Sequence, residues 1–368
     1  MPGDSRNEEF YGAEMDIPDG ILDHFFQRAW QEGSSDLLLV GGSAPFVRVD
    51  GMLKRLDDEA ILNGSVIGGI VTSVLDSRQK ALFSNHKEVD FSLSWRELAR
   101  IRGNAFLQRG EPAVSLRFIP NRIPDFDELG IPQSVRDLAT LPQGLVLFTG
   151  PTGSGKSTSL ASLVDWINAN RRCHILTIED PIEFVHSHRL SAVSQRELGS
   201  DTDTFARALR AALREDPDVI LLGEMRDPES IAIALTLAET GHLVFSTLHT
   251  NDASQALDRI VDVSPAGVKE QIRVQLAGSL AAVIAQRLLP RIGGGMVAAY
   301  EVLLATSASR NLVLEGKTRQ LRNVITTSQS EGMQTLEMSL SRLVAAGLVT
   351  YDEALAHAVV RKEVDRPL

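Results

Sequence analysis

One stretch constrains this chain more than any other. Leu145-Val-Leu-Phe-Thr149 runs straight into Gly150-Pro-Thr-Gly-Ser-Gly-Lys-Ser157, and a helical pattern follows from Ser157 to Ala169. An apolar strand, a G-x-x-x-x-G-K-[ST] loop and a helix in that order form a phosphate-binding unit. A strand of that kind, apolar at every position, needs parallel neighbours and helices on both of its faces. Gly150, Gly153 and Gly155 let the backbone turn its N–H groups inward toward phosphate oxygens. The following helix aims its positive end at the same place. Lys156 is expected to reach the β- and γ-phosphates of ATP, and Ser157 to ligate the Mg²⁺ that arrives with it. Thr152, Ser154 and Thr158 complete the nucleotide-binding segment.

The second half of the chain keeps this texture. Ile175–Ile178, Val219–Leu222 and Leu243–Thr247 read as buried strands, and Phe205–Arg214 and Glu229–Glu239 as helices, the latter ended by Gly241. From Gly267 onward the pattern is mainly helical, with a hairpin possible around Gly293-Gly294-Gly295. The expectation over 141–368 is an α/β domain with a mostly parallel sheet and a helical C-terminal region. The first half differs. Ile21, Leu22, Phe25, Phe26, Ala29 and Trp30 recur at helical spacing. Short strand patterns at Asp36–Val40, Pro45–Val49, Phe91–Trp95, Arg100–Phe106 and Val114–Phe118, with a helix over Ser73–Phe83, predict a small α+β domain over 21–118. Ile119-Pro-Asn-Arg-Ile-Pro-Asp125 opens a segment, 119–140, expected to be a linker. Residues 1–20 are expected to be disordered.

Three further segments carry chemistry. Thr177-Ile-Glu-Asp-Pro-Ile-Glu183 ends a buried strand and places Glu179 and Glu183 where ligands bind in such sheets, although a solvated acidic turn would read the same way. In Asp218-Val-Ile-Leu-Leu-Gly-Glu224 the chain crosses the core and Glu224 emerges at the end, placed to orient or deprotonate an attacking water. Asp218 stands at the wrong end of that strand for the same work. Thr240–Thr250 carries His242 before a buried strand and His249 after it. His249 is placed to sense a γ-phosphate, whereas His242 reads equally well as a structural histidine.

Composition removes some alternatives. The net charge of −11 argues against a protein that coats nucleic acid. Cys173 is the only cysteine, so an intrachain disulfide and a cysteine-rich zinc site are excluded, and a reducing cytosol fits. Met1–Gly20 has no apolar signal core, and no stretch approaches the ~18 apolar residues of a membrane span. Any membrane association is therefore expected to be peripheral and through partners.

Taken in order, the four segments resemble the Walker A, Asp box, Walker B and His box of the secretion and type IV pilus ATPase family. Ser194-Gln-Arg-Glu197, Ala208–Asp218, Gly223-Glu-Met-Arg-Asp227, Gly241-His-Leu-Val-Phe245, Asp258-Arg-Ile-Val-Asp262 and Gly332-Met-Gln-Thr-Leu336 are most similar to its pilus-retraction branch. The resemblance implies a PAS-like N-terminal domain, a RecA-like ATPase domain and a homohexameric ring with ATP held between the two domains. It implies that Arg102 and Arg117 reach the phosphates, with Arg109 a weaker third candidate. It also implies that Glu183 is the functional glutamate of its box, with Glu179 sharing the work. The implied activity is ATP hydrolysis that drives pilus retraction from the cytoplasmic face of the membrane. The implied partners are an inner-membrane platform protein and, as a further candidate, a paralogous ATPase. Extension and secretion members usually carry a tetracysteine zinc insert and a further N-terminal region. A single cysteine and the short N-terminal region here favour retraction. One departure keeps a type II or IVB secretion ATPase or an extension motor as the alternative. Ala308-Ser-Arg-Asn-Leu-Val313 has Ser309 where the retraction branch has an apolar residue.

Overall fold

The computed structural model describes residues 20–366 except Asp50, Glu97 and Asn121. Of residues 1–20, expected to be disordered, all but Gly20 lie outside the described residues, and Gly20 stands at the N-cap of the first helix. The chain forms two compact units that divide between Arg122 and Ile123.

The first unit contains α1 (Ile21–Gln31), β1 (Asp36–Leu39), β2 (Phe46–Val49), β3 (Met52–Arg55), α2 (Gly64–Val74), α3 (Ser77–His86), β4 (Glu88–Trp95), β5 (Ala99–Gln108) and β6 (Glu111–Pro120). Its sheet is antiparallel throughout, in the order β3-β2-β1-β6-β5-β4. The apolar stripe of α1 buries Phe25, Phe26 and Ala29, and Phe26 meets Trp95 and Phe118 edge to face. Two features differ from the expectation. Residues 73–83 are not one helix, because Asp76 breaks the run and caps α3 with a capping box to Gln79. β3, exposed at every position, has no apolar pattern to betray it.

In the second unit come α4 (Gln133–Arg136), β7 (Gly144–Thr149), α5 (Lys156–Asn170), β8 (His174–Glu179), β9 (Ala192–Glu197), α6 (Phe205–Ala212) and β10 (Val219–Leu222). They are followed by α7 (Pro228–Glu239), β11 (Leu243–Leu248), α8 (Ala253–Val263), α9 (Lys269–Ser279), β12 (Leu280–Pro290) and β13 (Met296–Leu304). The chain closes with α10 (Ser307–Leu314), α11 (Leu321–Thr327), α12 (Leu336–Ala345) and α13 (Tyr351–His357). The sheet order is β13-β12-β7-β11-β10-β8-β9, parallel except for the β12–β13 pair. Alternate residues serve opposite faces. Leu145, Leu147, Ile220 and Leu222 pack with α6, α7 and α8, while Val146, Phe148, Val219 and Leu221 pack with α5. Each such aliphatic side chain, once fully buried, contributes about 1.5–3 kcal/mol.

Three expectations need correction here. The segment 119–140 is not a free linker, since Phe126, Ile131, Val135, Leu138 and Ala139 are buried in the second unit's core. The two prolines at its start mask a helical spacing over 131–139. The hairpin expected around Gly293-Gly294-Gly295 is present, but its arms, β12 and β13, reach back to Leu280 and on to Leu304 where helix was expected, because β12 is apolar on both faces and shows no alternation. β9 was missed because Val193 is the only large apolar side chain among its six residues. The serine of the 308–313 segment is explained locally. Ser309 is fully buried and closes a capping box with Thr306 at the start of α10. Arg310 from the same turn donates to the Ala277 and Gly278 carbonyls at the end of α9.

Candidate active site

Register places Thr149, Glu179, Leu222 and Leu248 at one edge of the parallel sheet, the carboxyl edge. From this edge the loop 150–155 turns back into α5. Gly150, Gly153 and Gly155 have φ of 144°, 80° and 82°. At Gly150 a Cβ would also collide with the Gln286 carbonyl oxygen, so only glycine fits. Gln286, buried on β12, underpins the loop and accepts a hydrogen bond from Ser159 Oγ at 3.0 Å. No side chain caps α5, whose first-turn N–H groups and positive end are thus left for an anion. Lys156 is 7% exposed, and its Nζ donates to the carbonyls of Gly150 at 2.8 Å and Pro151 at 3.0 Å. Burial lowers its pKa, while Glu183 and Glu224 act in the opposite direction, so both carboxylates lie within its electrostatic reach.

Glu179 closes β8. Its Oε1 accepts hydrogen bonds from Thr177 Oγ1 at 2.6 Å and Gln195 Nε2 at 3.3 Å. Burial nevertheless holds its carboxyl above the usual carboxylate range. The loop that carries Glu183 is fastened from β9. Gln195 Oε1 accepts from His186 N–H at 2.7 Å, Gln195 Nε2 donates to the Phe184 carbonyl at 2.9 Å, and Glu197 accepts from Ile182 N–H at 3.1 Å. Gln195 and Glu197 were not singled out from the sequence, although they stand in the Ser194–Glu197 segment noted there.

Glu224 emerges past β10 and is 8% exposed. One carboxylate oxygen pairs with Arg226 Nε at 2.5 Å and the other lies 3.5 Å from His249 Nε2. Arg226 had no assigned role, though it sits within Gly223–Asp227. Neighbouring strand ends are knitted together around this group. Thr247 Oγ1 donates to the Gly223 carbonyl, and Thr149 Oγ1 donates to the Thr250 carbonyl at 2.6 Å and accepts from its N–H at 3.0 Å.

The structure thus gathers Lys156, Glu183, Glu224 and His249. It does not bring His242 to them. His242 precedes β11 level with Gly144, whose N–H donates to its carbonyl, and its Nδ1 lies 2.9 Å from the Leu237 carbonyl. In a parallel sheet a residue before a strand stands at the opposite edge from one after it, here on the order of 20 Å away at ~3.3 Å per residue. Asp218 shares that far edge, where it accepts from His174 N–H at 2.8 Å.

In the first unit, Arg102 and Arg117 are direct cross-strand partners on β5 and β6, both exposed. Like charges so placed disfavour one another, and Asp36 offsets them by accepting from Arg117 Nε at 2.8 Å. Arg109 lies in the β5–β6 turn with φ 53°.

Among the described residues no cluster of three or more His, Cys, Asp and Glu forms a ready-made metal cage. One hydroxyl, Ser157, at a helix N-terminus with carboxylates in the neighbourhood fits a Mg²⁺ ion that brings phosphate and water ligands with it. No helix among the described residues is long and apolar enough to cross a membrane.

Comparison with known proteins finds a family, relatives and a solved structure similar to this chain. Residues 21–297 match the family described as Type II/IV secretion system protein. The chain is 50% identical over 315 residues to a twitching motility protein of Neisseria gonorrhoeae, covering 85% of this chain and 84% of the relative. It is 47% identical over 330 residues to the type IV pilus retraction ATPase PilT of Pseudomonas aeruginosa PAO1, covering 90% of this chain and 96% of the relative. A crystal structure of the pilus retraction motor PilT with bound ADP superposes with a TM-score of 0.87 at 46% identity, covering 93% of this chain and 98% of that one.

Proposed function

This chain belongs to the type II/IV secretion system protein family, and we propose that within it the chain is an ATPase motor that powers type IV pilus retraction and hence twitching motility. ATP binds at the loop 150–158, where Lys156 and the N-terminus of α5 hold its phosphates. Ser157 would hold Mg²⁺, which offsets phosphate charge when bound. Glu224 orients and deprotonates the attacking water, and Arg226 keeps its carboxylate aimed. His249 and Glu183, on loops at the same edge, link the γ-phosphate to the position of those loops. Arg102 and Arg117 supply positive charge to the transition state. That role accounts for two arginines held opposite one another at an exposed position.

The assembly proposed is a homohexamer at the cytoplasmic face of the inner membrane. It acts on a membrane platform protein, with a paralogous ATPase as a further partner. Nucleic acid has no part in the cycle. The observation that carries the proposal is Glu224, buried at the carboxyl edge between Arg226 and His249 and within electrostatic reach of Lys156. Deleting the gene in its host and counting surface pili beside twitching motility tests the physiological part. Abundant pili with lost motility are expected. A bald cell, or a cell with normal pili and motility, would contradict retraction.

A further inference from the structure

Beside Ser157 a recess of about 40 Å³ opens between the first turns of α5 and the carboxyl ends of β8, β10 and β11. Its polar lining comes from Ser157, Glu179, His186 and Thr247, and apolar groups such as Leu160 and Phe184 close the remainder. That space suits about one to three water molecules and is too small for a nucleotide base.

His186 is the unusual member. The residue is 7% exposed, and its Nδ1 is buried without a hydrogen-bond partner. Its backbone N–H is held by Gln195, which also donates to Glu179. Burial pushes its pKa down to about 4, so the ring is neutral near pH 7 and carries one acceptor nitrogen and one donor. Buried polar atoms in native proteins are seldom left unpaired, and ordered water is the usual remedy where a polar recess adjoins them.

Ser157 poses the complementary problem. A hydroxyl has one hydrogen and two lone pairs. If its oxygen faces a cation, its hydrogen must be donated elsewhere. Asp218 cannot receive it from the far end of β10. Ser157, Glu179 and His186 line the same recess.

We propose that the recess holds an ordered water bound to His186 Nδ1, and that this water, together with Glu179, accepts the Ser157 hydroxyl hydrogen and so turns the serine's lone pairs toward the metal. His186 is then a positioning residue behind the metal ligand. This inference rests on the Mg²⁺–nucleotide reading of the loop.

The full-length protein tests it in two ways. A high-resolution structure without nucleotide should show a water within about 3.2 Å of His186 Nδ1. A dry recess overturns the inference and leaves the ATPase proposal standing. Calorimetric titration of ADP with and without Mg²⁺ supplies the second readout, on wild type, His186→Phe and His186→Asn. Asparagine restores a polar group near the Nδ1 position and phenylalanine does not. His186→Phe should weaken metal-dependent ADP binding by about tenfold, as loss of support behind a metal ligand typically does. His186→Asn should stay within about threefold of wild type, and metal-free ADP affinity should be alike in all three. Equal Mg²⁺ dependence in all three, or equal loss with and without metal, overturns the inference. Wild-type protein that shows no Mg²⁺-dependent ADP binding overturns this inference and the parent proposal together.

Discussion

The two edges of the seven-stranded sheet use the same residue types for opposite ends. At the amino edge His174, Asp218 and His242 each satisfy a backbone or side-chain partner, and Asp218 is exposed. At the carboxyl edge Lys156 and Glu224 are buried, Glu179 and Glu301 have raised pKa values, and His186 Nδ1 has no partner. Polar groups at the first edge stabilise the fold. At the second edge they are held where the fold alone gains least from them, which is where chemistry needs them. Chain direction decides which edge a residue joins, because parallel strands send every following residue to one side and every preceding residue to the other.

The largest contrast should come from the two ends of β10. Glu224→Gln should lower kcat by about 10³-fold with ATP binding retained, while Asp218→Asn should leave kcat within about twofold and lower stability by ~1 kcal/mol. Steady-state phosphate release and thermal melting measure both. A similar pair sits on either side of β11. His249→Ala should reduce kcat roughly tenfold, equivalent to about 1.4 kcal/mol, and His242→Ala should move the melting temperature with kcat nearly unchanged. If His242→Ala proved the more damaging to turnover, the division between edges would fail. Arg226→Gln should have a smaller effect. It removes an exposed partner of Glu224, and a drop in kcat of about fivefold with KM for ATP unchanged is the expected size for such a pair.

The smallest expected effect concerns stability and pH. Glu301 pairs in register with Ala285, which pairs with Thr149, so it lies at the carboxyl edge, where it accepts from Ala253 N–H at 2.9 Å. Burial, aided by Asp252 and Glu337, pushes its pKa up to about 7 from an ordinary 4.5. The folded protein therefore holds a proton that the unfolded chain has already released. Stability from this group is present below pH 4.5 and is lost as pH rises through about 7. Glu301→Gln keeps an acceptor for Ala253 and removes the charge. Melting between pH 5 and 8 should show wild type falling by about 5 °C more than the variant over that window. A parallel decline would mean that Glu301 is ionised without penalty.

Much of this was legible in sequence wherever the signal is local. The strand–loop–helix of 145–169 is marked by its glycine loop, the short apolar runs 219–222 and 243–247 are bounded by Asp218 and Gly223 and by Gly241 and His249, and Glu224 follows from its place after such a run. Elements whose identity depends on neighbours were less legible. β9 is an edge strand with a single large apolar residue, Val193, and only its pairing with β8 makes it a strand. β12 is apolar on both faces, a pattern that helix and buried strand share. Residues 126–139 looked like linker because prolines precede them, yet their apolar side chains fill a core built by later strands. His242 could have been placed by chain direction alone. The recess at His186 could not, since it depends on segments that meet only in the folded chain.

The central claim is that catalysis takes place at the carboxyl edge with Glu224 as the group that faces the attacking water. The most direct measurement is a crystal structure of full-length Glu224→Gln with ATP and Mg²⁺. The account predicts phosphates against Lys156 and the start of α5, the metal on Ser157, and a water within about 2.6–3.2 Å of the residue-224 side chain, in line with the γ-phosphate. Phosphates bound at this loop with residue 224 turned away, and another side chain holding that water, would contradict it.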